Sequence, residues 1–420
     1  MFLILRGDRP IAKLDHVEDH WELNYLPGNV AINPVLPVGA THSFKAVPRF
    51  LRSLLPTKGR EILTAKSRHL DPADLASLAK QCLATENVGD LRLVTNAAMI
   101  SDPEVRQSGG ITVEAATPNA LFAESVDALR HPDFAHRVND TLKTLASAAG
   151  IGGAWPKAFL YTPDGGHILK KYPQVGETTG EEMAALESAS LKAMASLGQP
   201  AAKALPIGDM LVVERFDKIF DRAAGVCHIA DLDPDTQDNF AGSHESVAKL
   251  LVKHSGQKAA QVFVRQAMFS WALGDSDHHR ENFAMVRPQV LSAWEMAPLY
   301  DSIPSKFITG DKEELALTLN AKKAKISLKD WAPLAKAAGM EMTEVSEFLT
   351  ASVKAIQEHV LPAAKSIAPA LKEHLAIVAL VAQDKPFPEA QRAVFKGEVS
   401  LSKVLMAQAP TQLPPSIGGR

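Results

Sequence analysis

Gly274-Asp275-Ser276-Asp277-His278-His279-Arg280-Glu281-Asn282 is the densest polar stretch of the chain, with six ionisable side chains in nine residues. It follows an apolar run, Ala259 to Leu273, in which Phe263, Ala267 and Trp271 recur at helical spacing and which Gly274 closes. A short strand, Phe283 to Val286, comes next. A loop between helix and strand carries so many charges only where solvent, a metal or a ligand satisfies them. A charge run alone reads as a solvated turn. A second element changes that reading, because Met296-Ala297-Pro298-Leu299-Tyr300-Asp301 places an acid at the end of an apolar segment. A hairpin through Pro288 to Ser292 brings Asp301 back beside the loop.

Phosphoryl transfer needs two such acids. One carboxylate takes or orients the acceptor's hydroxyl proton, the other holds Mg²⁺ on the phosphates, and an amide oxygen serves a second metal position. Asp277 as base, Asn282 five residues later and Asp301 as metal ligand fit that pattern. The Asp-to-Asn spacing has little meaning until Asp301 joins it. His278 and His279 beside Asp275 and Asp277 also compose a transition-metal set, but no second histidine cluster stands at a spacing that completes it.

Upstream, Gly150-Ile151-Gly152-Gly153-Ala154-Trp155-Pro156-Lys157 lacks the Gly-Lys-Ser/Thr of a Walker loop. As a Gly-rich turn it still offers amides to phosphate oxygens. A strand, Ala158 to Tyr161, a turn at Asp164-Gly165-Gly166 and a second strand, His167 to Lys170, follow. Lys170 or Lys171 would meet phosphates from that strand. A helix from Gly180 to Leu197 puts Met183, Glu187, Leu191 and Met194 on one face. Glu187 on an apolar stripe needs a cation, and the strand lysine is the natural partner. A further strand covers Met210 to Phe216.

The remaining text is bounded by composition. The chain has 420 residues, 45 basic and 48 acidic, for a net charge of −3, which is not the balance of a strongly basic nucleic-acid binder. Two cysteines, Cys82 and Cys227, build neither a disulfide framework nor a structural zinc site. No basic-then-apolar start and no membrane-length apolar run occur, so a cytoplasmic globular protein is expected. Near the N-terminus, Trp21 to Leu26 and Val30 to Leu36 read as strands, Phe50 to Leu55 as a short helix, and Asp71 to about Leu83 as a capped helix. Residues 101–120 read as a hairpin or linker. The C-terminal half is mainly helical, with helices at 244–254, 259–273, 328–338, 343–359, 362–382 and 388–406, before a Pro- and Gly-rich tail.

Taken together, these segments resemble the HipA-like serine/threonine kinases, the toxins of type II toxin–antitoxin systems. The resemblance runs over most of the chain. Gly152-Gly153-Ala154-Trp155-Pro156-Lys157 resembles the family's Gly-Ala-x-x-Lys loop, and His167 to Lys170 its lysine strand. Glu187 is similar to the glutamate of its Asn-Glu helix, with Leu186 at the asparagine. Glu214-Arg215-Phe216-Asp217 resembles the hinge, Asp277 to Asn282 the Asp-Gly-His-x-Lys-Asn loop, and Ala297 to Asp301 the metal-binding segment. Six motifs in order are more specific than any one.

The resemblance implies an α+β, protein kinase-like bilobal fold. An N-terminal strand-containing subdomain would cover 1–140, a nucleotide-binding small lobe 141–217, a mainly helical catalytic lobe 218–409 and a flexible tail 410–420. ATP would lie between the lobes, with Gly152, Gly153, Ala154, Lys157 and Lys170 or Lys171 at its phosphates and the backbone of Glu214 and Phe216 at adenine. Lys170 is the preferred phosphate lysine. Asp277 would be the base, Lys170 and Glu187 its supporting pair, His279 a structural residue of the loop, and Asn282 and Asp301 the Mg²⁺ ligands. The implied activity is phosphorylation of a protein such as an aminoacyl-tRNA synthetase. The implied partner is a HipB-like antitoxin, with DNA reached only through it and no membrane. A pseudokinase and a small-molecule kinase are the alternatives. Three departures stand out. Gly150 and Gly152 occupy the places of an autophosphorylated serine, and Ser147 is too early. Glu281 replaces a basic residue, with Arg280 as the neighbouring base. His278 replaces a small or polar residue.

Overall fold

A computed structural model describes residues 2–55, 77, 87–100, 110–112, 155–162, 165–219, 222–233 and 238–402. The chain opens with four strands, β1 (Phe2–Arg6), β2 (Arg9–Val17), β3 (His20–Tyr25) and β4 (His42–Phe44). A single helical turn, α1 (Arg49–Arg52), follows, and then β5 (Leu91–Val94). These strands make one antiparallel sheet in the order β4-β3-β2-β1-β5. Alternation drives it, since Ile4, Leu14, Trp21 and Leu23 turn into a common core. Phe50, Leu51, Leu54 and Leu55 cap that core. A four-residue helix is unstable alone, so this packing is what holds α1 in place.

The second sheet has the order β6-β7-β8-β10-β9, from β6 (Gly110–Thr112), β7 (Lys157–Thr162), β8 (Gly165–Lys171), β9 (Ala204–Ile207) and β10 (Met210–Glu214). β6 lies parallel to β7 and the other pairs are antiparallel, so this sheet begins ahead of residue 141. α2 (Gly180–Ser196) crosses it, capped by Thr179, whose hydroxyl accepts from the Glu182 N–H at 3.2 Å. Gly180 is required at its start, because a Cβ there would collide with the Tyr172 carbonyl. Glu182 pins the other side of α2 to the helical body, accepting from the N–H groups of Lys365 at 2.7 Å and Ser366 at 2.8 Å.

A two-strand ribbon, β11 (Lys218–Ile219) and β12 (Arg222–Ala223), leads into β13 (Gly225–His228). The body comes next, with α3 (His244–Ser255), α4 (Gln257–Leu273), the hairpin β14 (Ala284–Arg287) and β15 (Glu295–Met296), and α5 (Ser305–Thr309). It closes with α6 (Ala332–Ala338), α7 (Met342–Ala355), α8 (Ala368–Ala382) and α9 (Phe387–Phe395). α4 is buried along nearly its whole length, among Trp331, Leu349, Val353 and Leu375. Strands β13, β14 and β15 form a small sheet against which the 274–282 loop folds. The fold is α+β.

Four expected elements differ. Val30 to Leu36 is not a strand, because its backbone serves Tyr25 instead: the Ile32 N–H donates to the Tyr25 hydroxyl at 2.9 Å, and that hydroxyl donates to the Leu36 carbonyl at 2.8 Å. The helix expected over 343–359 passes into a wider turn at Ile356–Val360. The one expected over 362–382 starts only at Ala368, with Pro369 in its first turn. The one expected over 388–406 stops at Lys396, before Gly397 in the left-handed conformation. The expected helix near 71–83, most of 101–120, the Gly150–Ala154 loop and the tail lie outside the described residues. Among those residues no helix is long and apolar enough to cross a membrane.

Candidate active site

A cavity of about 900 Å³ lies between the second sheet and the helical body. Asp277, His279, Asn282 and Asp301 line it from the body, and Lys157, Lys170, Glu187, Glu214 and Phe216 from the sheet and α2. Its size suits a cofactor-sized ligand.

The 274–282 loop owes its shape to buried hydrogen bonds. Gly274 ends α4 with φ +79°, a left-handed conformation that turns the chain sharply. Asp275 is 2 % exposed and organises the rest of the loop. It accepts from the Ser302 hydroxyl at 2.9 Å, the Ser305 hydroxyl at 3.1 Å and the Asp277 N–H at 3.3 Å. The Asp277 N–H also reaches Ser305 Oγ at 3.1 Å, while its carboxylate is exposed to the cavity. Asn282 Nδ2 donates to the Asp277 carbonyl at 2.8 Å, which leaves Oδ1 as the acceptor end of that amide.

The facing wall is a charge cluster. Lys170 Nζ lies 2.7 Å from Glu187 Oε2, with neither side chain more than 3 % exposed. Lys170 also pairs with Asp301, and Lys157 reaches that carboxylate at 3.2 Å. The Tyr172 hydroxyl donates to the same Glu187 oxygen, Oε2, that Lys170 meets. Burial alone would lower the Lys170 pKa, but Asp301 and Glu187 outweigh it and hold the ammonium charged above its ordinary range. Burial would likewise raise the Asp301 carboxyl, yet the Lys157 and Lys170 charges hold it well below the usual carboxylate range. Asp301 has φ +53°, a sparsely populated conformation for a non-glycine residue of the kind that clusters at functional sites.

At the cavity's inner edge the Glu214 N–H donates to the Lys203 carbonyl at 2.9 Å. Phe216 stacks on Tyr300 with ring centroids 5.5 Å apart. In the same segment Arg215 and Asp217 form a buried ion pair that the N-terminal region completes. Asn87 O accepts from Arg215 at 2.8 Å, and the Gly89 N–H donates to Asp217 at 2.7 Å.

Two expectations are corrected. His279 is not the packed structural histidine of the loop; His278 is. His278 is 3 % exposed, stacks on Phe283 at 4.0 Å and bonds Ser270 and the Asn282 carbonyl. His279, half-buried, meets Phe240 edge-on at the cavity wall. Lys171 points away from the cavity and pairs with Asp209 at 3.1 Å, since successive strand residues face opposite sides. Gly152, Gly153 and Ala154 lie outside the described residues. His278 and His279 hold no transition-metal set either, for among the described residues no three His, Cys, Asp or Glu side chains converge on a metal position. Mg²⁺ asks for less, one or two protein oxygens beside phosphate oxygens. The Asp301 carboxylate and the Asn282 amide line the same cavity, with both Asp301 oxygens paired to Lys170 and Lys157.

Some participants carry no signal in the sequence. Arg52 and Ser53 line the cavity from the N-terminal region. Asp275 is visible there only as part of a charge run. Tyr172 comes after the two lysines, and strand alternation places it on the Lys170 face.

Residues 149–360 match the model of the HipA-like C-terminal domain family. No curated protein matches the chain. The HipA toxin of Shewanella oneidensis, solved with HipB and its operator DNA, overlays on 97 % of this chain and 100 % of its own, with TM-score 0.63 and 14 % identity. That likeness establishes a shared fold. The proinflammatory kinase CtkA of Helicobacter pylori overlays on 58 % of this chain and 95 % of its own, at 13 % identity and TM-score 0.36, too low to bear on the fold.

Proposed function

The chain belongs to the family of HipA-like C-terminal domains, and on that premise we propose that it is a bilobal, ATP- and Mg²⁺-dependent serine/threonine kinase of the HipA toxin type. The observation that carries this reading is convergence. Asp277, Asn282, Asp301, Lys157, Lys170 and Glu187 come from separate segments and line one cavity.

Each has a task in that reading. Asp277, with its backbone fixed by Asp275 and Ser305, would take the proton of the acceptor hydroxyl as its oxygen bonds the γ-phosphorus of ATP. The bond from that phosphorus to the β–γ bridging oxygen breaks, with ADP as the leaving group. Lys170, held by Glu187, and Lys157 balance the phosphate charge. The backbone around Glu214 to Phe216 faces the adenine. Asp301 and Asn282 Oδ1 would hold Mg²⁺, which neutralises charge on the phosphates when bound. Catalysis is then mainly positioning and electrostatics. The acceptor proposed is a translation component such as an aminoacyl-tRNA synthetase. The partner proposed is a HipB-like antitoxin, as HipB accompanies the Shewanella protein, with DNA met through it in the cytoplasm.

The test is purified protein with γ-labelled ATP, Mg²⁺ and a cell extract, wild type beside Asp277→Asn. Labelled protein bands with wild type alone support the kinase and identify its substrate. ATP binding without labelling of any protein points to a pseudokinase or a small-molecule kinase. No ATP binding removes the reading.

A further inference from the structure

Among the described residues, Arg49 of the N-terminal region pairs with the 274–282 loop. Arg49 Nη2 lies 3.3 Å from Glu281 Oε1, with the two side chains 3 % and 13 % exposed, and the same nitrogen bonds Asn239. Next to it the Ser53 hydroxyl donates to Asp231 at 2.7 Å. α1 is held rigidly enough for this, because Phe50, Leu51, Leu54 and Leu55 are sunk in the N-terminal core. Its guanidinium side is thereby turned toward the loop.

Glu281 is the hub of the loop's second half. Its carbonyl accepts from Tyr300 at 3.0 Å and bonds His228 at 2.9 Å, and its N–H donates to His279 Nδ1 at 3.3 Å. Its side chain is the remaining handle, and Arg49 holds it. Arg280, the base nearest in sequence, turns instead to Asp233 at 3.2 Å. The residue after Glu281 is Asn282, whose amide ties back to Asp277. A buried ion pair adds little net stability but fixes geometry, and losing one partner leaves a buried charge exposed to rearrangement.

We propose that Arg49 is a positioning residue: through Glu281 it sets the backbone that carries Asp277 and Asn282, so the N-terminal region is an integral part of the active centre. This rests on the kinase reading for its consequence in turnover, but not for its effect on the loop. The full-length chain is therefore measured in two ways, by phosphate transfer from γ-labelled ATP–Mg²⁺ and by hydrogen exchange of the amides of 277–282. The variants are Arg49→Ala, Arg49→Lys, Glu281→Gln, the single reversals Arg49→Glu and Glu281→Arg, and the two reversals combined.

The expected result for Arg49→Ala is a fall in kcat of about 30- to 100-fold, the scale of a misplaced catalytic group, with ATP affinity within about threefold of wild type. Exchange at 277–282 should rise about tenfold while β8 and α2 keep their protection. Arg49→Lys recovers part of both readouts, and the reversed pair recovers more than either of its single variants. Unchanged kcat or unchanged loop exchange in Arg49→Ala overturns the proposal. So does a uniform loss of protection across the chain without recovery in the reversed pair, which would mark a merely structural contact. If the wild type transfers no phosphate at all, the kinase reading fails, and the exchange data alone then decide for or against Arg49 as the organiser of the loop.

Discussion

Lys170 on β8 and Glu187 on α2 meet at 2.7 Å in a site where both side chains are nearly shut from water, and the same ammonium is shared with Asp301. The strand, the helix and Asp301 are thus joined by one charge. Glu187→Leu removes an anion but leaves Lys170 paired with Asp301. Lys170→Met leaves Glu187 without its cation in the same pocket. Lys170→Met should therefore be the more damaging, by about 3–5 kcal/mol against about 1–3 kcal/mol for Glu187→Leu. Denaturant unfolding of the two variants and the double mutant measures this. A double mutant no more stable than Lys170→Met would contradict the stranded-charge account.

Asp277 differs from that cluster in being exposed to the cavity. Asp277→Asn should leave the unfolding free energy within about 0.5 kcal/mol of wild type, the scale of a surface substitution. Phosphate transfer should fall by about a thousandfold or more with ATP affinity preserved, as for loss of a general base. Asn282→Ala should instead raise the Mg²⁺ concentration needed for half-maximal transfer, because it removes Oδ1 and the tie to the Asp277 carbonyl together.

Legibility in the sequence divides along physical lines. The 274–282 loop and Asp301 lie close along the chain and are joined by a hairpin, so spacing alone brings them together. Glu187 is readable because a carboxylate on an apolar helical stripe demands a cation. Alternation of strand side chains says that Lys170 and Lys171 face opposite ways, but only the packing of α2 on the sheet decides which faces in. His278 and His279 pose the same problem in a turn, settled by the stacking of His278 on Phe283. Val30 to Leu36 is apolar enough for a strand, yet Pro34 interrupts it and Tyr25 captures its backbone groups. Arg49 leaves no trace at all, since a pairing between remote segments such as Arg49 and Glu281 has no local pattern.

Two buried histidines set an acid limit on the fold. His244 and His374 are both held neutral, each with its pKa lowered by burial to about 4 from the ordinary 6.5. Thr318 O and Glu245 face the first, and Lys306, Glu314 and Trp271 O the second. The folded-state pKa is depressed, so the unfolded chain takes up these protons first as the pH falls. Their contribution is complete above about pH 6.5 and is lost progressively down to about pH 4. Each protonation costs up to about 3 kcal/mol over that span. Unfolding free energy measured from pH 7.5 to 4.5 should fall steeply below 6.5, and His374→Gln should flatten the slope. An unchanged slope in that variant would show that other groups govern the acid transition.

Gly274 stands at the point where α4 hands over to the 274–282 loop, and two separate demands fall on it. Its φ of +79° disfavours any side chain, at a cost of about 1–2 kcal/mol. A Cβ there would also run into the Phe307 ring, on the short helix whose Lys306 N–H donates to the Gly274 carbonyl at 3.0 Å. Gly274→Ala should therefore destabilise by about 2–4 kcal/mol in all and push α5, with Ser305, away from Asp275 and the Asp277 N–H. Phosphate transfer should fall by about tenfold or more, because Ser305 is one of the groups that aim Asp277. Combining Gly274→Ala with Phe307→Leu separates the two demands. The smaller side chain relieves the collision and should restore most of the activity, while the backbone cost remains in the unfolding free energy. Recovery of both together would mean that the left-handed turn is not strained by alanine. Recovery of neither would mean that the loop is aimed by something other than the contact between α5 and Asp275.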